Sequence, residues 1–347
     1  MTHLTPTQLE AFGAALDAIQ AEARASLGER DRRYIRRAIA VQRTLALGGR
    51  ALIFAGIALP PLWLVGTASL GVAKILENME IGHNVLHGQW DWMADPQIHS
   101  STWEWDNVCP ADQWKHSHNV VHHTWTNVLG KDRDVGYEIL RVTPKQRWRP
   151  IHLAQPGYNA LLAVLFQWGV AMHDVDHRAP DPAKLRGIAK KAGKQLAKDY
   201  VVWPALAGPW FLPVLLANLT ANLMRNLWTY AVIFCGHFPD GAQTFTVDEV
   251  AGETRGGWYL RQVLGSCNIT GGPLFHVLTG NLSHQVEHHL FPDLPSNRYP
   301  EIAPKVEAVC ARYGVPYNKG TFRRQLGTTL RTIFRLALPA RTPALAA

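Results

Sequence analysis

Sixteen histidines stand in the 347 residues, and eight of them fall in three short windows. The windows are His83-Asn84-Val85-Leu86-His87, His118-Asn119-Val120-Val121-His122-His123 and His284-Gln285-Val286-Glu287-His288-His289. Residues four apart stack on one face of a helix, so each window can aim a pair of imidazoles in one direction. Neutral imidazole binds zinc, copper, iron and nickel. Three pairs aimed at one point exceed what a single tetrahedral zinc can use, so the pattern points to a dinuclear, histidine-rich metal centre. The ligand count favours iron. A zinc-protease helix needs H-E-x-x-H, a frame that Glu287-His288 lacks. One HxxxH alone is commonly a coincidence of the helix surface; the reading rests on three together.

Regular helical spacing sets further expectations. Glu77, Glu80, His83 and His87 share a face, which would let Glu80 orient His83 as a hydrogen-bond partner behind the metal. His118 and His122 align, whereas His123 points about a quarter turn away, because a helix advances about 100° per residue. That splay suits delivery of ligands to two metals. In the third window both His284 and Gln285 lie within one turn of His288, and spacing does not choose between them. His116 faces away from His118 and is expected in solvent or behind the ligands. His3, His99, His152, His173, His177 and His276 are expected to be structural. Asp91, Asp95, Glu104, Asp106, Asp132 and Asp134 are candidates to offset the charge of two metals in a neutral ligand set. Trp90, Trp92, Trp103, Trp105 and Trp114 crowd the first two windows as packing and as walls of a channel.

The elements that must position these residues lie between apolar runs. Apolar residues make up 47% of the chain, although mean hydropathy is only −0.10, so the apolar content is concentrated rather than uniform. Residues 45–76 are nearly all apolar, interrupted by Arg50, Lys74 and Pro60-Pro61. A bilayer-crossing helix takes about 20 residues, so this run fits a tight hairpin turning near the prolines. A second run, 201–237, is broken by Asn218, Asn222, Arg225 and Asn226 and fits two more short helices ending on Cys235-Gly236-His237. Polar groups at such depth face the bundle interior or serve function. About four membrane helices in two hairpins put both termini and all three windows on one side.

The remaining segments fit that plan. Residues 1–27 read as a soluble amphipathic helix capped by Thr7, with Leu9, Phe12, Leu16 and Ile19 as its stripe; no signal peptide is expected. The arginines of 28–37 and the basic residues of 178–198 read as cytoplasmic flanks. Residues 88–150 are too polar for lipid and form a cap, and 157–172 read as an interfacial helix. After Glu307 no acid appears, while Arg312, Lys319, Arg323, Arg324, Arg331, Arg335 and Arg341 do. With Phe322, Leu326, Leu330, Ile333, Phe334 and Leu338 this tail reads as a basic amphipathic helix on anionic lipid. The division is thus 1–43 as an N-terminal amphipathic segment, 44–318 as the membrane domain (hairpins near 45–80 and 201–237, cap at 81–200 and 238–318) and 319–347 as the tail. The net charge of +8 and thirteen tryptophans favour a membrane surface over nucleic acid, for which no recognition motif is present. Cys109, Cys235, Cys267 and Cys310 lack CxxC spacing and read as buried thiols in a reducing compartment.

From about residue 78 to 318 the pattern HxxxH, HxxxHH and QxxHH, with "DVGYE", "FCGHFPDG" and "HQVEHHLFPDLPSNRY", resembles the membrane fatty acyl desaturases. It is most similar to the actinobacterial acyl-CoA desaturases acting at the ninth carbon. The resemblance implies an all-α integral membrane protein with a helical cytoplasmic cap around a di-iron site. It implies O2 as co-substrate, two iron ions, and His83, His87, His118, His122, His123, His237, Gln285, His288 and His289 as metal-binding and catalytic residues. His237 matches the extra ligand that the family places at the end of its last membrane helix. Ile233 stands where animal-type relatives carry an asparagine, which puts a water-mediated ligand in question. The expected substrate is a stearoyl or palmitoyl chain on CoA, made cis-unsaturated at carbon nine. Siblings acting on acyl lipids or hydroxylating the chain share the motifs. A histidine-rich metal transporter is the alternative of another class, and its histidines should sit at mid-membrane depth. With no haem or GxGxxG motif in the chain, electrons are expected from a separate ferredoxin, reductase or flavoprotein donor.

Overall fold

The computed structural model describes residues 4–339; His3 and Arg341 lie outside them. Helix α1 (Pro6–Ala25) begins at Thr5 rather than Thr7. The Thr5 hydroxyl accepts the Gln8 N–H at 3.3 Å and the Gln8 side chain accepts the Thr5 N–H at 2.8 Å. Pro6 occupies the first helical position, where no N–H partner is needed, and this moves the start ahead of Thr7. The expected stripe holds: Phe12, Leu16 and Ile19 are buried and Leu9 is partly buried, packed with the Arg255–Gly265 helix. The two helices touch so closely that a Cβ on Gly256 would lie 2.1 Å from the Leu9 carbonyl oxygen.

Two helical hairpins follow. Helix α2 (Glu29–Ala55) turns at residues 56–59 into α3 (Pro60–Leu76), so the first hairpin turns where the prolines stand. The arginines of 28–37 sit on the opening turns of α2 itself rather than on a loop before it. The second hairpin differs from expectation. Its outgoing leg is one unbroken helix, Phe211–His237. Its incoming leg is the basic Pro182–Leu196 helix, continued through Ala197–Val202 and Trp203–Ala205. The polar residues that seemed to break the run do not end the helix, because Asn218, Asn222, Arg225 and Asn226 are all buried on its inner face. Asp199 joins the hairpins, accepting from Lys74 Nζ at 2.7 Å and lying 3.4 Å from Arg50 Nη2. Leu64, Val65, Leu206, Trp210, Leu212, Leu216, Leu219 and Leu223 remain exposed, giving both hairpins an apolar outer surface. Among the described residues one helix, α2, is by itself long and apolar enough to cross a membrane.

The protein is mostly helical, as the all-α expectation requires. The sheet among the described residues is a parallel pair, β1 (Asn268–Thr270) and β2 (Lys319–Thr321). It ties the tail to the third histidine window, since the Asn268 side chain accepts the Val286 N–H at 2.9 Å. The largest core packs Phe12, Leu16, Tyr259, Val286, Phe291 and Tyr299 together. That core fixes the Gln285–Leu290 helix beneath the ends of the hairpins. The C-terminal helix Phe322–Ala337 turns Ile333 and Leu336 inward and leaves Phe334, Arg323, Arg324, Arg331 and Arg335 outside.

Candidate metal centre

The first two histidine windows do not lie on regular α-helix. Helix α3 continues into a π-helical stretch, Glu77–His83, before Asn84–Leu86. The second window follows Ala111–Trp114 as π-helix Lys115–His122 and then His123–Trp125. A π turn bonds i to i+5 and occurs often at functional sites. It rotates every side chain relative to α spacing, which changes which residues share a face.

All nine residues expected at the centre come together, from four separate parts of the chain. Nitrogens of His83, His87, His118 and His288 converge in one group, and those of His122, His237 and His289 in a second. His118 and His122 stack with ring centroids 5.0 Å apart; each belongs to a different all-histidine group, and the two also share a third cluster with Asp134. The distant histidines that meet each ring make this division, His83, His87 and His288 at His118 and His237 and His289 at His122, where regular spacing had His118 and His122 acting together and His123 diverging. His123 lies between the groups, 4.7 Å from His87, 4.8 Å from His288 and 4.6 Å from His289 by ring centroid. Gln285 joins the second group, its Nε2 3.1 Å from His237 Nε2. His284 turns away and packs on His276 at 4.6 Å, so Gln285 and not His284 lies beside the grouped histidines. His116 bonds Asp174 at 2.5 Å and His177 is exposed.

Hydrogen bonds behind the rings set which nitrogen faces inward. Asn84 Nδ2 donates to the carbonyls of Glu80 and Gly280, so its Oδ1 accepts from His83 Nδ1 at 2.9 Å. Asp132 Oδ1 and Oδ2 both lie 3.1 Å from His122 Nδ1, and Asp134 Oδ2 lies 3.5 Å away. His289 Nδ1 meets Gln262 Oε1 at 3.0 Å, and His288 Nδ1 meets the Tyr299 hydroxyl at 3.3 Å. With the Nδ1 protons so placed, the opposite Nε2 lone pairs face the interior. His83, His87, His118, His122 and His288 each keep a buried Nε2 without a hydrogen-bond partner, and Gln285 keeps a buried Oε1 in the same state. Buried polar atoms rarely stay unpaired. So many orphaned acceptors converging on two points fit two metal ions with nitrogen-rich ligation.

Electrostatics agree with that donor set at His83 and His118 and differ at His122. Burial, reinforced by neighbouring imidazoles, pushes the His83 pKa down to about 3, and burial takes His118 down to about 4. Both rings are therefore neutral, the form that binds metal. Burial also works against the charge on His122, but the carboxylates of Asp132 and Asp134 outweigh it and push that pKa up to about 9.

Of the six acids expected near the centre, Asp132 and Asp134 reach the histidines. Asp91 bonds Ser100, Asp95 faces Arg36, and Glu104 and Asp106 hold Lys191 and Lys198. Glu80 does not support His83: it accepts from Tyr34, Ser296 and Asn281, because the π turn carries it off the histidine face. Asn84, Gln262 and Tyr299 were not anticipated. Asn84 adjoins His83 in sequence, but nothing in the sequence marks Gln262, whose position against His289 arises only on folding. His173, expected to be structural, lies 3.0 Å from Asp134.

A narrow cavity adjoins His83 and His118, walled by Met79, Trp105, Trp114, Phe166, Val170 and Ile233 with Asn78, Gln167 and Thr229 among them. Trp105 and Trp114 are the tryptophans that line it; Trp90, Trp92 and Trp103 pack elsewhere.

The fatty acid desaturase model matches residues 58–321. Over 350 residues the chain is 51% identical to the NADPH-dependent stearoyl-CoA 9-desaturase of Mycobacterium tuberculosis, covering 97% of this chain and 82% of that protein. It is 27% identical over 294 residues to the sn-1 linoleoyl-lipid 6-desaturase of Synechocystis sp., covering 78% of this chain and 79% of the relative. At 27% identity over 270 residues it also matches the acyl-lipid (8-3)-desaturase of Mortierella alpina, with 74% and 59% covered. With the family model spanning most of the chain and half of all positions shared with a relative that is covered to 82%, this protein belongs to the fatty acid desaturase family.

Proposed function

We propose that this enzyme introduces a cis double bond at carbon nine of a stearoyl or palmitoyl chain carried on CoA. The observation that carries the reading is the convergence of buried, unpartnered imidazole nitrogens into two groups beside an apolar cavity. His83, His87, His118 and His288 would hold one iron, and His122, His237 and His289 the other, with His123 and Gln285 completing the set. The chemistry supplied by two irons is oxidation by dioxygen, with two hydrogens leaving adjacent carbons and oxygen ending as water. Trp105, Trp114, Phe166 and Val170 hold a methylene chain against the histidines and exclude water, which keeps the oxidant from being wasted on solvent. Asp132 and Asp134 balance the charge of a neutral ligand set and hold His122 in place.

The two hairpins enter the bilayer in this reading, with the centre and both termini on the cytoplasmic side and the exposed basic residues of Pro182–Leu196 left outside the lipid. The exposed leucines of both hairpins support that placement, as does the basic flank of α2. Electrons come from a separate donor protein; the 51%-identical relative is named as NADPH-dependent. The test is expression in a host lacking the activity, with fatty acids profiled for wild type and for His122→Ala. Carbon-nine unsaturation that vanishes in the variant is the expected result. Unchanged unsaturation would refute the ligand assignment, and hydroxylated product alone would refute the desaturase reading.

A further inference from the structure

A crevice of about 150 Å³ opens on the surface beside the second histidine group, and His237 lines it with Phe238, Pro239, Gly241, Thr332 and Arg335. The same His237 reaches into the centre, where its Nε2 lies 3.3 Å from His289 Nε2 and 3.1 Å from Gln285 Nε2. One residue, at the end of the Phe211–His237 helix, therefore borders both the surface and the second group. The inner cavity lies beside His83 and His118, members of the first group, so the crevice is a separate approach. The surface around it is basic. The Phe322–Ala337 helix turns Arg323, Arg324, Arg331 and Arg335 outward, and the first three border a hollow of about 350 Å³. The Asp240 N–H donates to the Thr328 hydroxyl at 3.3 Å, which joins hollow and crevice. Arg331 pairs with Asp240, whereas Arg323, Arg324 and Arg335 have no carboxylate partner among the described residues. Beside Arg335, Phe334 and Leu338 are 57% and 60% exposed.

We propose, resting on the activity inferred above, that this face docks an acidic electron-donor protein and that electrons enter the centre through His237. Each turnover oxidises the donor by two electrons. With two protons from solvent and the two hydrogens of the acyl chain, these electrons reduce dioxygen to two waters. Guanidiniums without a partner of their own suit the carboxylates of such a donor through charge-assisted, forked hydrogen bonds. Opposite charge also steers the encounter, which for electron transfer is brief and made over a small interface. Phe334 and Leu338 supply the apolar contact that the middle of an interface uses. An anionic lipid surface would meet the same arginines. A lipid headgroup, however, gains nothing from a crevice that ends on a histidine of the centre, whereas a redox cofactor held over it is joined to the second group by that one side chain. The crevice thus favours a protein donor.

The test titrates the full chain, iron-loaded in neutral detergent, with a plant-type ferredoxin as the acidic probe and, separately, with short-chain phosphatidylglycerol. Wild type is compared with Arg324→Glu/Arg335→Glu and with Arg33→Glu/Arg37→Glu, an equal reversal of charge at exposed positions on α2. All four side chains are exposed, so the midpoint of thermal unfolding should not move in either variant. Wild type should bind ferredoxin with an affinity that falls as salt is added. The first variant should lose that affinity about tenfold or more, and the second should stay within about twofold of wild type. No binding by wild type, equal affinity in the first variant, equal weakening by both variants, or a loss confined to phosphatidylglycerol overturns the proposal. Product formed by wild type with dithionite as the reductant needs no donor protein, so a failure of the activity reading shows in that assay alone.

Discussion

His122 owes its orientation to Asp132. That carboxylate also accepts the N–H groups of Asn127 at 2.7 Å and Asp134 at 2.9 Å, so it is held from three sides while it holds the imidazole. An amide at this position would turn its NH2 group toward one of those donors and lose the fit. Asp132→Asn should therefore reduce metal affinity 10- to 100-fold, measured by competition with a chelator. Asp95→Asn, at an acid near the surface that faces Arg36, should leave it unchanged. Equal retention by both variants would remove Asp132 from the centre. Sequence put both acids in one group of six; only the path of residues 126–134 back beneath the second window separates them.

At the scale of elements, the hairpin of α2 and α3 depends on two glycines. A Cβ on Gly66 would lie 2.7 Å from both the Gly49 carbonyl oxygen and the Ile53 nitrogen, and one on Gly49 would lie 2.9 Å from the Gly66 oxygen. Backbone meets backbone here, so a methyl group must push the helices apart. Gly66→Ala should cost about 1–3 kcal/mol, read as a lowered midpoint of thermal unfolding in detergent. At Gly71 the added carbon meets only the flexible Met224 side chain at 2.6 Å, so Gly71→Ala should cost less. The reverse order would show that the crossing is not where the close contact lies. The hairpin was legible from its apolar run and its prolines. The closeness of its packing was not, because Gly48 and Gly49 look alike in sequence and only Gly49 faces α3.

For the molecule as a whole, the two histidine groups draw on segments about 200 residues apart, from His83 to His289. Arg298 reinforces the same closure, donating to both Asp31 oxygens at 2.7 Å and to the Ser26 carbonyl at 2.6 Å. An ion held between such distant segments stabilises the folded chain by mass action, about 2.7 kcal/mol at a hundredfold excess over the dissociation constant. Removing metal with a chelator should lower the unfolding midpoint by several degrees, and adding back ferrous iron should restore it. A midpoint that ignores both treatments would mean that the histidines do not share bound metal.

The sequence by itself determined the candidate ligands and the family: the three histidine windows, His237 and the first apolar hairpin follow from residue types and their spacing along the chain, whereas the incoming leg of the second hairpin did not. Tertiary structure alone decided how those residues are shared. Spacing puts His118 and His122 on one face, and they do stack, but which distant histidines each ring meets is decided by the fold. The same holds for Gln285 over His284, for Asn84 in place of Glu80, and for Asp132 and Asp134 among six acids. Each was settled by packing between segments far apart in the chain, and periodicity within one segment carries no information about that packing.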